Sequence, residues 1–318
     1  MLTYSTFVTG LQEPISQWVK EEKHRVRKVL DGAVLYDSQN KKSPLPCFFN
    51  TFTVLAQGTG SVEQLMRKVL RESAHIQRGR GSFRIVTSKE NQLIAVDKKL
   101  RNDMEKLIAV KSRMVPDRRG GGKEFWFLSR SEGVTLFMER HSGAKEPKLK
   151  KGELRPQLAY CLNRLSEPTP DDIMLDPFCG HGAIPRSRAY YFPCREVHAL
   201  DIQPSVRNIR QADIRDLPSI FPAQSVDVIV TDPPWGLFDE KDEKDEKDEK
   251  GKNDKKNNIP ALYEALKKAC NYVLKPGGRA VILTAQKELM QKWQPKASYD
   301  ILVSGQKAAI FVIRASAN

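Results

Sequence analysis

The segment Ile173-Met174-Leu175-Asp176-Pro177-Phe178-Cys179-Gly180-His181-Gly182 constrains this chain more than any other. An apolar run ends in an acid, turns sharply, and shows two glycines one residue apart before Ala183 and Ile184. That is the pattern of a buried parallel strand, a tight loop and the opening of a helix. Pro177 biases Asp176 to an extended conformation, so the acid should stand at the carboxyl end of the strand. Gly180 and Gly182 permit unusual backbone angles and close approach of a ligand to the main chain. In open α/β sheets ligands bind in the crevice at such strand ends.

The rest of the second half repeats that alternation. Strands are expected at Val197–Asp201, Val226–Thr231 and Arg279–Thr284, with helices from Ala183, near Ser205–Arg210, over Ala261–Leu274 and over Lys287–Trp293. Strands alternating with helices imply a mostly parallel sheet covered on both faces. The final pair, Tyr299–Val303 and Ala308–Ile313, is too closely spaced for a crossover helix and must be an antiparallel hairpin. The fold class is therefore α/β, a mostly parallel sheet with a C-terminal antiparallel hairpin, with a small α+β domain before it. The expected division is 1–145 and 146–318, with the polar stretch 141–151 as linker. Residues 239–258, rich in Lys, Asp and Glu with almost nothing to bury, form a charged insert expected to be a solvated loop.

The first half is basic. Residues 1–170 hold 31 Lys/Arg against 18 Asp/Glu, whereas residues 171–318 hold 22 against 21, so nearly all of the formal +14 lies in the first half. A basic module beside a neutral one suggests a polyanion docked by one part and acted on by the other, although surface charge also serves solubility. Within it, Gln17–Leu30 reads as a basic amphipathic helix followed by a turn at Asp31-Gly32. Ser61 and Gln64 match a capping box opening a helix to about Ala74. A second helix is expected from about Asp97 to Ala109, and a hairpin through Arg130–Gly133. The stretches Arg78-Gly79-Arg80-Gly81 and Pro116–Lys123 suit backbone-hugging contacts to nucleic acid, and suit basic turns equally.

Other classes are set aside by composition. No apolar run approaches the ~20 residues of a membrane span, and Met1–Glu13 lacks the features of a secretory signal. The five cysteines are scattered without Cys-x-x-Cys spacing, which indicates neither a metal site nor a disulfide framework and fits a reducing cytoplasm. Oligomeric state has no signature in the sequence.

Four further features carry chemistry. Asp201, closing a strand, can accept both hydroxyl hydrogens of a ribose or cap the segment after it. Asp213 can accept from an adenine amino group, or again serve as a cap. The glycine loop by itself fits a nicotinamide cofactor as well as S-adenosylmethionine. The discriminating motif is Thr231-Asp232-Pro233-Pro234-Trp235-Gly236, after the buried strand Val226-Asp227-Val228-Ile229-Val230. Two prolines fix a rigid turn and direct the Pro233 carbonyl outward. A nucleobase amine is a poor nucleophile because its lone pair is delocalised into the ring. The Asp232 carboxylate and Pro233 carbonyl can bind its hydrogens and favour a pyramidal nitrogen, and Trp235 offers a stacking surface. A core turn with a buried Trp is the plainer alternative.

These residues resemble the class I, Rossmann-like amino-methyltransferases, and most of all the RNA methylase family that includes tRNA guanine-N2 methyltransferases. The likeness rests on the Asp-Pro-Phe-x-Gly-x-Gly loop at 176–182, the Asp-Pro-Pro-aromatic motif at 232–235 and the helix opening Leu154-Arg155-Pro156-Gln157-Leu158-Ala159. It covers about residues 150–318. Upstream, residues 60–140 resemble the ferredoxin-like partner of a THUMP module. The resemblance implies S-adenosylmethionine as methyl donor and a nucleobase amine in RNA as acceptor, with guanine N2 of tRNA foremost. The catalytic set it implies is Asp232, Pro233, Pro234 and Trp235. The donor-binding set is Asp176, Pro177, Phe178, Cys179, Gly180, Gly182, Asp201, Ile202, Asp213, Ile214 and Arg155, with no metal. Rival readings are a DNA adenine or cytosine amino-methyltransferase, a protein-glutamine methyltransferase, and a non-catalytic RNA-binding protein that keeps the fold.

Overall fold

The basic first half and the neutral second half bury their apolar residues in separate cores. The computed structural model describes residues 1–38, 44–72, 74–90, 92–120, 122–141, 149–150, 152–236 and 259–316. One packing unit comprises residues 1–7 and 12–147, the other residues 8–11 and 148–318. The charged insert and most of the expected linker lie outside the described residues.

The first unit contains β1 (Leu2–Thr6), α1 (Gln12–Glu21), β2 (Arg25–Leu30), β3 (Ala33–Asp37), β4 (Asn50–Gly58) and α2 (Val62–Glu72). It continues with β5 (Ser82–Lys89), β6 (Gln92–Leu93), α3 (Lys98–Ser112), β7 (Val115–Pro116), β8 (Lys123–Arg130) and β9 (Val134–Arg140). The strands form one sheet in the order β2-β3-β1-β4-β9-β8-β5-β6, with β7 beside β5. The capping box is present: Gln64 N donates to Ser61 Oγ at 3.2 Å, and Ser61 N donates to Gln64 Oε1 at 2.8 Å. Asp97 likewise caps α3 through Leu100 N at 2.8 Å.

Two expectations fail here. The helix expected over Gln17–Leu30 stops at Glu21, because Lys23 takes a left-handed backbone angle (φ 62°) and the β-branched run after it pairs with β3 through the Asp31-Gly32 turn. Nor is 60–140 a ferredoxin-like element. Its crossover β5-α3-β8 joins directly adjacent parallel strands, whereas a ferredoxin-like order splits that pair with another strand.

The second unit contains α4 (Pro156–Leu165), β10 (Ile173–Asp176), α5 (Ala183–Tyr191), β11 (Glu196–Asp201), β12 (Arg210–Gln211), a 3₁₀ turn at Ile214–Asp216 and α6 (Leu217–Ile220). Then come β13 (Val226–Thr231), α7 (Ile259–Val273), β14 (Leu274–Thr284), α8 (Lys287–Gln291), β15 (Ala297–Val303) and β16 (Gln306–Arg314). The sheet order is β12-β11-β10-β13-β14-β16-β15. The first five strands are parallel, and β16 inserts antiparallel between β14 and β15. The chain leaves β10 toward β11 and returns on its other side as β13, which places the topological switch point between the β10 and β13 loops. The helix expected near Ser205–Arg210 is absent; that stretch is irregular and ends in β12. The core packs Leu175, Ile229, Ala280 and Ile282 of the sheet with Tyr263, Leu266 and Cys270 of α7.

A buried ion network secures the opposite end of the sheet. Arg188 of α5, with its side chain fully buried, donates to Asp172 Oδ2 at 2.8 Å, and Arg279 pairs with Asp172 Oδ1. Asp172 also accepts from Thr169 N and Oγ1 at 2.9 and 2.8 Å. Burial opposes ionisation of this acid, but those bonds and both guanidinium groups outweigh it and hold its pKa below the ordinary value.

Candidate active site

The glycine loop leaves β10 and opens α5, as the parallel-strand pattern demands. Gly180 and Gly182 both have left-handed angles, φ 52° and 79°. A Cβ added at Gly180 would meet nothing within 4 Å, so the main chain here borders open space. The loop is tied to the next strand: Cys179 N donates to Leu200 O at 2.9 Å, and Gly180 N donates to Asp201 Oδ2 at 2.8 Å. Ser205 Oγ donates to Gly180 O at 3.1 Å. Burial raises the pKa of the Cys179 thiol well above its usual range, leaving a packing residue rather than a nucleophile.

Asp176 is completely buried at the root of this loop. Its Oδ1 accepts from Thr231 Oγ1 at 2.8 Å and from Phe178 N at 3.2 Å. Its Oδ2 is buried without a partner among the described residues. Burial, reinforced by the nearby Asp232 and Asp201 carboxylates, raises its pKa to about 7. An orphaned buried carboxylate oxygen beside an open glycine main chain fits the ammonium of an amino-acid-like ligand. A methionine-derived methyl donor carries such an ammonium.

Asp201 has a dual position. While Oδ2 accepts from Gly180, Oδ1 accepts from Gln203 N at 2.8 Å. Ile202 is 62% exposed, available to a flat ligand face. Asp213 caps the 3₁₀ turn by accepting from Arg215 N at 2.8 Å, and the Ile214 side chain packs into the core. Arg155 immediately precedes α4, and Glu153 lies two residues earlier. Glu153 pairs with Arg186 at 3.1 Å, and Arg186 also donates to His181 O.

The Asp-Pro-Pro-Trp turn leaves β13, at the same edge of the sheet. Trp235 is only 9% exposed, and its indole Nε1 donates to Asp232 Oδ1 at 2.9 Å. Burial raises the pKa of Asp232 to about 7, and the indole N–H opposes that rise. Pro233 is buried, and no described residue donates to its carbonyl oxygen. Three residues outside every motif hold the turn in place. Gln286 Nε2 donates to Trp235 O at 2.6 Å, and Tyr263 Oη donates to Pro234 O at 3.4 Å. Thr284 Oγ1 bonds Tyr263 Oη at 2.5 Å and accepts from Gln286 N at 2.9 Å. Thr231, the first residue of the sequence motif, and Thr284 close adjacent parallel strands, and asking which residue ends each strand would also have found Thr284. Tyr263 had no such signal, because its helical position reads as core.

Among the described residues no group of His, Cys, Asp and Glu could hold a metal ion, and no helix is long and apolar enough to cross a membrane.

Comparison with known proteins agrees with this geometry. Residues 144–196 and 202–300 match the family described as RMKL-like, methyltransferase domain. The mouse protein named tRNA (guanine(6)-N(2))-methyltransferase THUMP3 is 30% identical over 200 residues, covering 52% of this chain and 36% of that one. The Thermus thermophilus protein named tRNA (guanine(6)-N2)-methyltransferase is 31% identical over 181 residues, 51% of this chain and 49% of that one. The chain thus aligns with half or less of these relatives' own length. Among solved structures, TrmN from Thermus thermophilus superposes with a TM-score of 0.75 at 19% identity, covering 99% of both chains, which establishes the shared fold. Two motif loops joined at a topological switch point, on a sheet ending in an antiparallel hairpin, are thus accompanied by sequence similarity to the RMKL-like methyltransferase domain over residues 144–196 and 202–300.

Proposed function

We propose that this protein transfers a methyl group from S-adenosylmethionine to the exocyclic amine of a nucleobase in RNA, namely N2 of a guanine in tRNA. The observation that carries the reading is the bond from Thr231 to Asp176, which joins the glycine loop to the Asp-Pro-Pro-Trp turn in one site. Asp176, Pro177, Phe178, Cys179, Gly180, Gly182, Asp201, Ile202, Asp213, Ile214 and Arg155 are assigned to the donor side. Asp232, Pro233, Pro234 and Trp235 are assigned to the acceptor side. The names of the mouse and Thermus relatives support guanine N2 as the target.

When bound, the donor supplies a methyl carbon made electrophilic by its sulfonium. The protein's part is placement. Asp176 Oδ2 would receive the donor's ammonium, the Gly180 main chain would admit it closely, and Asp201 would meet its ribose. Asp232 and the Pro233 carbonyl accept the two amine hydrogens, which withdraws the nitrogen lone pair from the ring and aims it at the methyl carbon. Taking up the methyl group would leave the amine nitrogen cationic, with a proton to shed. Asp232, with a pKa near 7, can take the surplus proton.

The first unit supports RNA as the partner. The first of its Arg/Gly stretches is tied to the chain that leads into the second: Gly79 N donates to Ser112 O at 2.8 Å and Val115 N to Gly81 O at 3.1 Å. Arg78, Arg80, Arg113 and Arg119 are exposed there, and no described carboxylate pairs with them. Arg118, by contrast, is held by Glu105 at 2.7 Å. This surface we assign to phosphate docking. The five free cysteines fit a reducing cytoplasmic setting.

Asp232→Ala tests the reading. Methyl transfer to RNA from cells lacking the protein should vanish while calorimetric affinity for S-adenosylmethionine stays within about threefold, because the residue's one link to the donor side is a charge near Asp176 that is secondary to burial. Nucleoside mass spectrometry should show N2-methylguanosine made by the wild type alone. Unchanged turnover in the variant, or a methyl group on another atom, would overturn it.

A further inference from the structure

The indole of Trp235 points its one polar atom at the carboxylate assigned to the substrate. We propose that Trp235 is a positioning residue for Asp232, its N–H holding Oδ1 so that Oδ2 is presented to the incoming amine. The proposal rests on the methyl-transfer reading and assigns the aromatic residue of the motif a task distinct from stacking.

Four observations carry it. The Nε1–Oδ1 distance is 2.9 Å, a full charge-assisted hydrogen bond, and no described residue donates to Oδ2. At 9% exposure the ring is largely covered, leaving little face on which a base could stack. Its main chain is anchored from outside the turn by Gln286, and the preceding carbonyl by Tyr263, itself bonded to Thr284. Gly236 closes the turn with φ 73°, and a Cβ there would lie 2.9 Å from Ile259 Cγ1, so the chain after the indole is also confined. A ring pinned in this way can fix a carboxylate rotamer. Phenylalanine could fill the same volume but has no N–H, and the hydroxyl of tyrosine lies at the far end of its ring.

The electrostatic setting makes that bond consequential. Asp232 is faced by the Asp176 carboxylate from β10, by the Tyr263 hydroxyl from α7 and by the indole from its own turn. Burial raises the Tyr263 pKa far above neutrality, so that hydroxyl stays protonated. Of these groups, Trp235 N–H is the one that favours the ionised form of Asp232.

Trp235→Phe separates positioning from packing. In the full chain the variant should keep its donor affinity and its KM for RNA within about threefold, lose tenfold or more in kcat, and move the acid limb of the kcat–pH profile up by about one pH unit. A ring that only stacks would raise KM and leave the acid limb where it was, which overturns the proposal. A second measurement needs neither RNA nor turnover. In ¹⁵N-labelled protein the Trp235 indole resonance should titrate with a midpoint close to that of Asp232, and should stop titrating in Asp232→Asn. An indole signal indifferent to pH and to Asp232→Asn refutes the positioning role even if the protein methylates RNA. A titrating indole in a protein that methylates no nucleobase leaves the contact intact and refutes the proposed function instead.

Discussion

Thr231 and Asp176 end neighbouring parallel strands and share a buried hydrogen bond of 2.8 Å, from Thr231 Oγ1 to Asp176 Oδ1. One side chain closes the strand that feeds the Asp-Pro-Pro-Trp turn, and the other closes the strand that feeds the glycine loop. The two halves of the site are thus registered by one hydroxyl. Thr231→Val keeps the shape and removes the donor, leaving a buried carboxylate with less support. The expected cost is about 1–3 kcal/mol, read as a lower midpoint in urea unfolding with unchanged slope. Donor affinity should weaken with it.

Donor affinity should also depend on pH. Burial holds the Asp176 pKa at about 7, and only the ionised form attracts an ammonium. The Kd for S-adenosylmethionine should therefore fall as pH rises from 6 to 8, with proton release on binding near pH 7 seen as a buffer-dependent calorimetric enthalpy. In Asp176→Asn both the pH dependence and the buffer dependence should disappear. Because burial raises this pKa in the folded state, the same substitution should stabilise the unliganded protein, and more at pH 8 than at pH 5.

The Asp172–Arg188–Arg279 network predicts the opposite sign. The folded-state pKa of Asp172 lies below its unfolded value, so its contribution is present at neutral pH and is lost as pH falls through the folded pKa. Asp172→Ala strands a fully buried guanidinium and should destabilise by about 3–5 kcal/mol at pH 7. The penalty should shrink below about pH 4, as measured by chemical denaturation at the two pH values. Turnover by the folded fraction should be little changed, since the network lies at the end of the sheet away from the site.

Arg80→Ala combined with Arg119→Ala probes the docking surface. RNA affinity should drop at low salt, and the slope of log K against log salt should become shallower by about 1–2, near one unit for each phosphate no longer neutralised. Electrophoretic or fluorescence binding between 50 and 200 mM salt measures this, with kcat on saturating RNA largely preserved. An unaltered slope would remove these arginines from the phosphate contacts.

Local patterns carried much of this protein. The apolar run into Asp176, the paired glycines, the paired prolines and the Val-rich strand announced a parallel sheet with two motif loops, because burial on both faces imposes near-continuous apolar strands. The capping box at Ser61–Gln64 and the terminal hairpin were equally legible, being interactions among residues close in sequence. Tertiary structure decided the rest. It ended α1 at Glu21, because strand pairing with β3 outweighed helical patterning in Val26, Val29 and Leu30. It placed β5 against β8, and it brought Tyr263, Thr284 and Gln286 onto the Asp-Pro-Pro-Trp turn from distant stretches of the chain. It also turned Trp235 toward Asp232, a choice no spacing encodes. A side chain's polar partner depends on which distant element fills the space around it, and only the folded chain fixes that space.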